Sequence, residues 1–205
     1  LTYCIFDIKY TYIIVEVRIL MRIISGTARG TKLFTLDGLN TRPTLDRVKE
    51  PLFNILNFKL QDSVVLDLFA GSGALGLEAI SRGAEKAIFS ENNRDAQKII
   101  EKNIDKTKFN DKAVLIKNDY KKALTFISEN NMKCDVVFID PPYKTELVKN
   151  ALLGILEKEI LNEDAIIILE TDEPERIEMQ ISDLKFEIVD NRKYGRVSLI
   201  FLKQN

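Results

Sequence analysis

Histidine is missing altogether from the 205 residues of the chain. Its absence excludes imidazole general bases, Ser-His-Asp triads and His-ligated metals. Cysteine is nearly as scarce: Cys4 and Cys134 lie far apart and match no CxxC or zinc spacing, so no metal is expected. Two cysteines in so long a chain point to a reducing compartment, and Cys134, beside an apolar strand, reads as a small core residue. Long uninterrupted apolar runs are also lacking. Asp7, Lys9, Glu16 and Arg18 break up residues 1–20, short of the roughly 20 apolar residues a membrane helix needs. No basic stretch precedes that segment and no small-residue cleavage site follows it. The expectation is a cytoplasmic protein without signal or anchor, residues 1–20 being an upstream extension of a fold that opens at Met21. Internal repeats and low-complexity tracts are absent too.

A strong charge of either sign is missing as well, since the formal net charge is −1. The distribution is uneven, however. Residues 17–49 hold seven basic side chains (Arg18, Arg22, Arg29, Lys32, Arg42, Arg47, Lys49) against Asp37 and Asp46, a balance of +5. Such asymmetry suggests an anionic partner for the N-terminal part. An apolar content of 45% and a charged content of 30% describe a globular chain with a sizeable core.

Residues 21–38 read as short strands broken by Gly26, Gly30 and Gly38. Thr44 can cap a helix carrying Leu45, Val48, Leu52, Phe53, Ile55 and Leu56, which Pro51 should kink or restart. From residue 63 the text is regular. Strands VVLDLF, AIFSE, AVLIKND, VVFID and AIIILET alternate with helices ALGLEAISR, RDAQKIIEKNIDK, YKKALTFISEN and ELVKNALLGILEK, and a short helix follows Pro174. FEIVD and VSLIFL then form a hairpin through NRKYGR. Continuous apolar strands between amphipathic helices predict an α/β fold with a doubly wound, largely parallel sheet. Ligands of such sheets bind beyond the carboxyl ends of the strands, here Asp67, Glu91, Asp119 and Asp140.

The first of these strands runs into DLFAGSGALG, residues 67–76. Gly71, Gly73 and Gly76 form G-x-G-x-x-G between strand and helix, the context of nucleotide-type binding. Glu91 ends the next strand, where a carboxylate can accept both ribose hydroxyls. Two ligands compete. A nicotinamide dinucleotide would put its diphosphate on the helix N-terminus, close to the negative charge of Asp67. S-adenosylmethionine has no phosphate and carries a sulfonium and an ammonium, which suit that carboxylate. Asp119, followed by Tyr120, could take the adenine amino group.

The fourth strand ends in VVFIDPPYK, residues 136–144. Asp-Pro alone is ordinary turn chemistry. Asp140, Pro141, Pro142 and Tyr143 together make a stiff ledge of carboxylate, fixed carbonyl and flat ring. An exocyclic aromatic amine is a poor nucleophile because its lone pair is delocalised into the ring. Hydrogen bonds from its N–H groups to the Asp140 carboxylate and the Pro141 carbonyl draw that lone pair back onto nitrogen. Tyr143 offers a face on which a base can stack, worth about 1–3 kcal/mol. No covalent nucleophile is required, and positioning supplies most of the advantage.

D-P-P-Y following the D-x-F-x-G-x-G of Asp67, Phe69, Gly71 and Gly73 resembles the class I amino-methyltransferases of nucleic-acid bases. MRIISGTARGTKL (21–33), TRPTLDRVKEPLFNIL (41–56) and VLDLFAGSGALGLEA (65–79) are similar to the bacterial RsmD family, over residues 21–205. The resemblance implies methylation of a guanine N2 amine in 16S ribosomal RNA, of the guanine-966 type, with S-adenosylmethionine as cofactor. It implies seven strands with the last antiparallel, a methyltransferase domain at 61–205, and a small extension at 21–60 that holds RNA and closes over the cofactor. Phe69 joins the cofactor set on this basis, and Arg29, Arg42, Thr44 and Arg47 the RNA-contacting set. The partner would be 16S ribosomal RNA or the small ribosomal subunit. A DNA adenine or a protein glutamine is an alternative substrate; glutamine enzymes carry Asn where this chain has Asp140, and a DNA enzyme would usually need a recognition domain. A non-catalytic RNA-binding assembly factor is a third reading.

Overall fold

The structure, a computed structural model, describes residues 17–36, 44–141 and 146–205. Two strands come first, β1 (Val17–Arg22) and β2 (Lys32–Leu36), paired antiparallel as a separate hairpin. Pairing reaches Val17, four residues into the segment expected to be an extension. The turn contains Gly26 and Gly30 at positive φ; Gly38 lies outside the described residues. A Cβ on Gly26 would stand 1.7 Å from the Ser81 carbonyl oxygen, so the turn lies directly on the body of the protein.

Helix α1 (Thr44–Leu60) follows and begins at Thr44 itself. Of the kink or restart expected at Pro51, the restart does not occur, since one helix runs through it. The missing N–H removes one rung, but Val48, Leu52, Phe53, Leu56 and Leu60 keep one continuous buried face on both sides of it. The regular array comes next: β3 (Val64–Asp67), α2 (Ala74–Ser81), β4 (Lys86–Ser90), α3 (Arg94–Thr107), β5 (Ala113–Ile116), α4 (Tyr120–Glu129), β6 (Cys134–Ile139), α5 (Glu146–Lys158), β7 (Leu161–Thr171), α6 (Pro174–Ile181), β8 (Phe186–Tyr194) and β9 (Val197–Gln204).

These strands form a seven-stranded sheet in the order β5-β4-β3-β6-β7-β9-β8. The last strand, β9, runs antiparallel to both neighbours, and the pairings from β5 to β7 are all parallel. Both faces are covered, which is why the strands read as unbroken apolar runs. On one face lie α1, α2, α3 and the hairpin, packed on Val65, Val136, Phe138, Ile168 and Phe201. On the other lie α4, α5 and α6, packed on Leu66, Val137, Ile139, Ile167 and Leu202. Cys134 belongs to this second core; burial pushes its thiol up to about 12. No helix among the described residues is long and apolar enough to cross a membrane.

Two strand ends differ from expectation. β7 starts at Leu161 rather than Ala165, through a pairing of Leu161 with Cys134. The expected NRKYGR loop shrinks to Gly195 and Arg196, because Asn191–Tyr194 continue the ladder with β9. These polar residues lie on the sheet's edge strand, where outward side chains meet water.

Buried charge holds the hairpin and α1 onto α2. Glu78 is fully buried and accepts from the backbone N–H groups of Ile24 (2.8 Å) and Ser25 (3.0 Å). Arg82 Nε meets one of its oxygens at 2.8 Å and Lys49 Nζ the other at 3.1 Å. Lys49 also donates to the Arg22 carbonyl at 2.8 Å. Only 1% exposed, Lys49 cannot be part of the basic surface suggested for residues 17–49. Replacing Lys49 with alanine is expected to cost about 3 kcal/mol by leaving a buried carboxylate short of a cation. A urea titration reads this as a lower midpoint at unchanged slope; a wild-type midpoint contradicts it.

Candidate functional site

The chain leaves β3 toward β4 and β5 on one side, then returns to β6 on the other. The reversal between β3 and β6 is a topological switch point, and ligands of such sheets bind beyond the strand ends there. Asp67 ends β3, Asp140 follows β6 and Glu91 follows β4. Three carboxylates therefore share one rim.

Asp67 is 3% exposed and accepts from the Gly76 N–H at 3.1 Å through Oδ2. Its pKa is pushed up to about 7, first by burial and then by the charges of Asp140 and Glu91; the Gly76 bond acts in the opposite direction. The turn between β3 and α2 holds Gly71 and Gly73 at φ of 55° and 77°. Gly76 serves close packing: a Cβ there would stand 2.3 Å from Cε1 of Phe89 on β4.

Glu91 reaches back to this turn. Its Oε2 accepts from Gly71 N–H and its Oε1 from Asn93 N–H, each at 2.8 Å. An ionised carboxylate has about four acceptor sites, so capacity remains for ribose hydroxyls. Asn93 caps α3 through bonds from Asp95 and Ala96 N–H. Asp119 caps α4, accepting from Lys122 N–H at 3.0 Å, and is exposed on the rim. The rings of Phe69 and Tyr120 lie 5.5 Å apart at 43°, joining the glycine turn to the start of α4.

Asp140 is half-buried and borders a narrow cleft with Leu52, Leu75, Ile168 and Glu170. Glu170 stands next to it in the sheet, because Ile139 pairs with Leu169. Asp67, Phe69, Gly71, Gly73, Gly76, Glu91, Asp119 and Tyr120 thus lie along one rim, with Asp140 and Pro141 beside them. Pro142 and Tyr143 lie outside the described residues, and so does Arg42. Thr44 and Arg47 lie in the first turn of α1, and Arg29 is exposed in the β1–β2 turn. Sequence reasoning missed Glu78, Glu170 and the buried Asn103 on α3. Asn103 left a signal, a polar residue set among Ile99, Ile100 and Ile104 on the buried face of its helix.

The donor set suits a cation. The cost of ionising Asp67, raised by burial and by the charges of Asp140 and Glu91, is relieved by a cationic ligand and increased by a diphosphate. S-adenosylmethionine, which brings positive charge and no phosphate, suits this rim; a nicotinamide dinucleotide does not.

The sheet order, the glycine turn and the acidic strand ends define a class I methyltransferase. Residues 21–203 match the family model described as Conserved hypothetical protein 95. The chain is 40% identical over 154 residues to Ribosomal RNA small subunit methyltransferase D of Haemophilus influenzae, covering 74% of this chain and 79% of that protein. It is 38% identical over 152 residues to the protein of the same name from Escherichia coli K12, covering 74% and 75%. The solved structure of yhhF from Escherichia coli superposes with a TM-score of 0.73 at 30% identity, covering 90% of this chain and 97% of that one. The chain belongs to the RsmD family.

If Asp67 faces the positive charge of the cofactor, binding should depend on pH. Below about pH 7 the carboxyl of the ligand-free protein is protonated, and a bound cation favours its ionised form, so binding releases a proton. Affinity for S-adenosylmethionine should rise by up to about tenfold per pH unit below that pKa and level off above it. Asp67→Asn keeps an acceptor for Gly76 and should abolish the slope. Calorimetry in buffers of different ionisation enthalpy checks this; no proton release at pH 6 contradicts it.

Proposed function

We propose that this protein transfers a methyl group from S-adenosylmethionine to the N2 amine of a guanine in small-subunit ribosomal RNA. One observation carries the reading: Asp67 and Asp140 stand at the ends of neighbouring strands, one on the cofactor side and one on the ledge side of the switch point. The names of the Haemophilus influenzae and Escherichia coli relatives support the substrate class. When bound, S-adenosylmethionine supplies an electrophilic methyl carbon on a cationic sulfur.

The chain's own residues do the rest. Asp67 holds the cationic end of the cofactor, and Glu91 its ribose. Asp140 and the Pro141 carbonyl accept the two N–H groups of the target amine and aim its lone pair at the methyl carbon. Tyr143 stacks on the base. As the new carbon–nitrogen bond forms, the carbon–sulfur bond breaks and its electron pair stays on sulfur. The nitrogen then gives up a proton to the Asp140 carboxylate or to water. Residues 21–60 serve as the RNA-holding extension and residues 61–205 as the methyltransferase domain, acting in the cytoplasm. Arg29, Arg42, Thr44 and Arg47 provide the RNA contacts.

The direct test is transfer of labelled methyl to small-subunit particles lacking the modification, followed by nucleoside analysis. N2-methylguanosine is expected; label in adenine or in protein glutamine sinks the reading. In the same assay Asp140→Ala should lower single-turnover rate by on the order of 10²–10³ with little change in cofactor affinity. Near-normal turnover would remove Asp140 from the mechanism. The Arg42→Ala, Arg47→Ala double variant should weaken RNA binding and flatten its log–log salt slope by about two units. A lower melting temperature with an unchanged slope would make both arginines structural.

A further inference from the structure

Asn103 is fully buried on α3, and both N–H groups and the oxygen of its amide are hydrogen-bonded. Its Oδ1 accepts from Phe34 N–H at 2.8 Å, and its Nδ2 donates to the Phe34 carbonyl at 3.0 Å. That two-bond exchange is the one a residue of a neighbouring strand makes in an antiparallel ladder. The second N–H of Nδ2 donates to the Ser72 carbonyl at 2.9 Å. Ser72 lies between Gly71 and Gly73, so one planar amide ties β2 to the cofactor turn. Lys106, three residues further along α3, places its ammonium 4.2 Å over the Phe34 ring and holds the same strand in place. Other attachments hold β1 and the hairpin turn: Lys49 and Glu78 take the backbone of Arg22, Ile24 and Ser25, the Ser72 hydroxyl makes a weak bond to Met21 Sδ at 4.0 Å, and a further set runs to the far end of α2. Thr27 N–H donates to the Ser81 carbonyl at 2.8 Å, Ala28 N–H to Ser81 Oγ at 2.9 Å, and Ser81 Oγ to the Ser25 carbonyl at 2.6 Å.

We infer that Asn103 is a positioning residue that couples the hairpin to the cofactor turn, so that cofactor and RNA strengthen each other's binding. The inference rests on the proposed reading in taking the hairpin as part of the RNA surface. A cofactor that orders Gly71–Gly73 fixes the Ser72 carbonyl, hence the Asn103 amide, hence the Phe34 backbone. Coupling of this kind is reciprocal: whatever factor the cofactor adds to RNA affinity, RNA adds to cofactor affinity.

The test measures affinity of the full chain for unmodified small-subunit ribosomal RNA, with and without saturating S-adenosylhomocysteine, which cannot react. Wild type should gain roughly fivefold or more. Asn103→Leu has similar volume and loses all three bonds; its gain should vanish. Ser81→Ala loosens the hairpin from α2 and should keep the gain. A coupled Asn103→Leu protein, an uncoupled Ser81→Ala protein or an uncoupled wild type overturns the inference. Wild-type hydrogen exchange gives a second readout that needs no variant to fold. S-adenosylhomocysteine should slow exchange at Phe34 N–H more than at Thr27 N–H, and equal or absent slowing overturns the inference. Nucleoside analysis of the methylated product is a separate measurement, so a target base other than guanine is distinguished from a failure of the coupling.

Discussion

The gap between β3 and β6 exists because the chain leaves β3 in one direction across the sheet and returns on the other side. What makes it a site is the charge placed around it. Asp67 is buried deeply enough that its own ionisation is unfavourable, and Asp140 and Glu91 add to that cost. A ligand that brings positive charge relieves all three terms together, whereas a phosphate would add to them. The choice of cofactor thus follows from electrostatics that the sheet order imposes. The same crowding places Asp140 near Asp67, where the proposed function needs an acceptor for a nucleophilic amine.

The N-terminal hairpin is held by buried polar groups as well as by the apolar side chains of Met21, Ile23 and Leu33. Glu78 gathers two backbone N–H groups, Lys49 and Arg82 around one carboxylate, and Asn103 satisfies both polar groups of the Phe34 backbone. Such networks require their partners in place, because any one left alone is a buried polar group without compensation. A hairpin fixed this way can be rigid near the cofactor turn and still present exposed Arg29 at its tip.

Much of this could be read in the sequence, and the exceptions have physical reasons. Parallel strands covered on both faces must be apolar throughout, so β3, β4 and β6 announced themselves, and the glycine turn and acidic strand ends located the rim. The tip of the β8–β9 hairpin was misread because polar residues on an edge strand look like a loop; Asn191–Tyr194 proved to be ladder. Of the kink or restart that Pro51 suggests, the restart does not occur: the rung it deletes is visible in sequence, while the packing of Leu52 and Phe53 that offsets it is not. Lys49 was counted as surface charge because its partner, Glu78, is remote in sequence and adjacent only in the fold. Asn103 was legible as an oddity within an apolar face, but not as a link, since its partners on β2 and in the glycine turn are brought together by tertiary structure alone.

The most direct measurement of the central claim is a crystal structure with S-adenosylhomocysteine bound. The account predicts the amino end of the ligand within hydrogen-bonding distance of Asp67, the ribose hydroxyls on Glu91, and the sulfur facing the Asp140 ledge. A ligand seated away from the β3–β6 gap, or one with its amino group remote from Asp67, would contradict it.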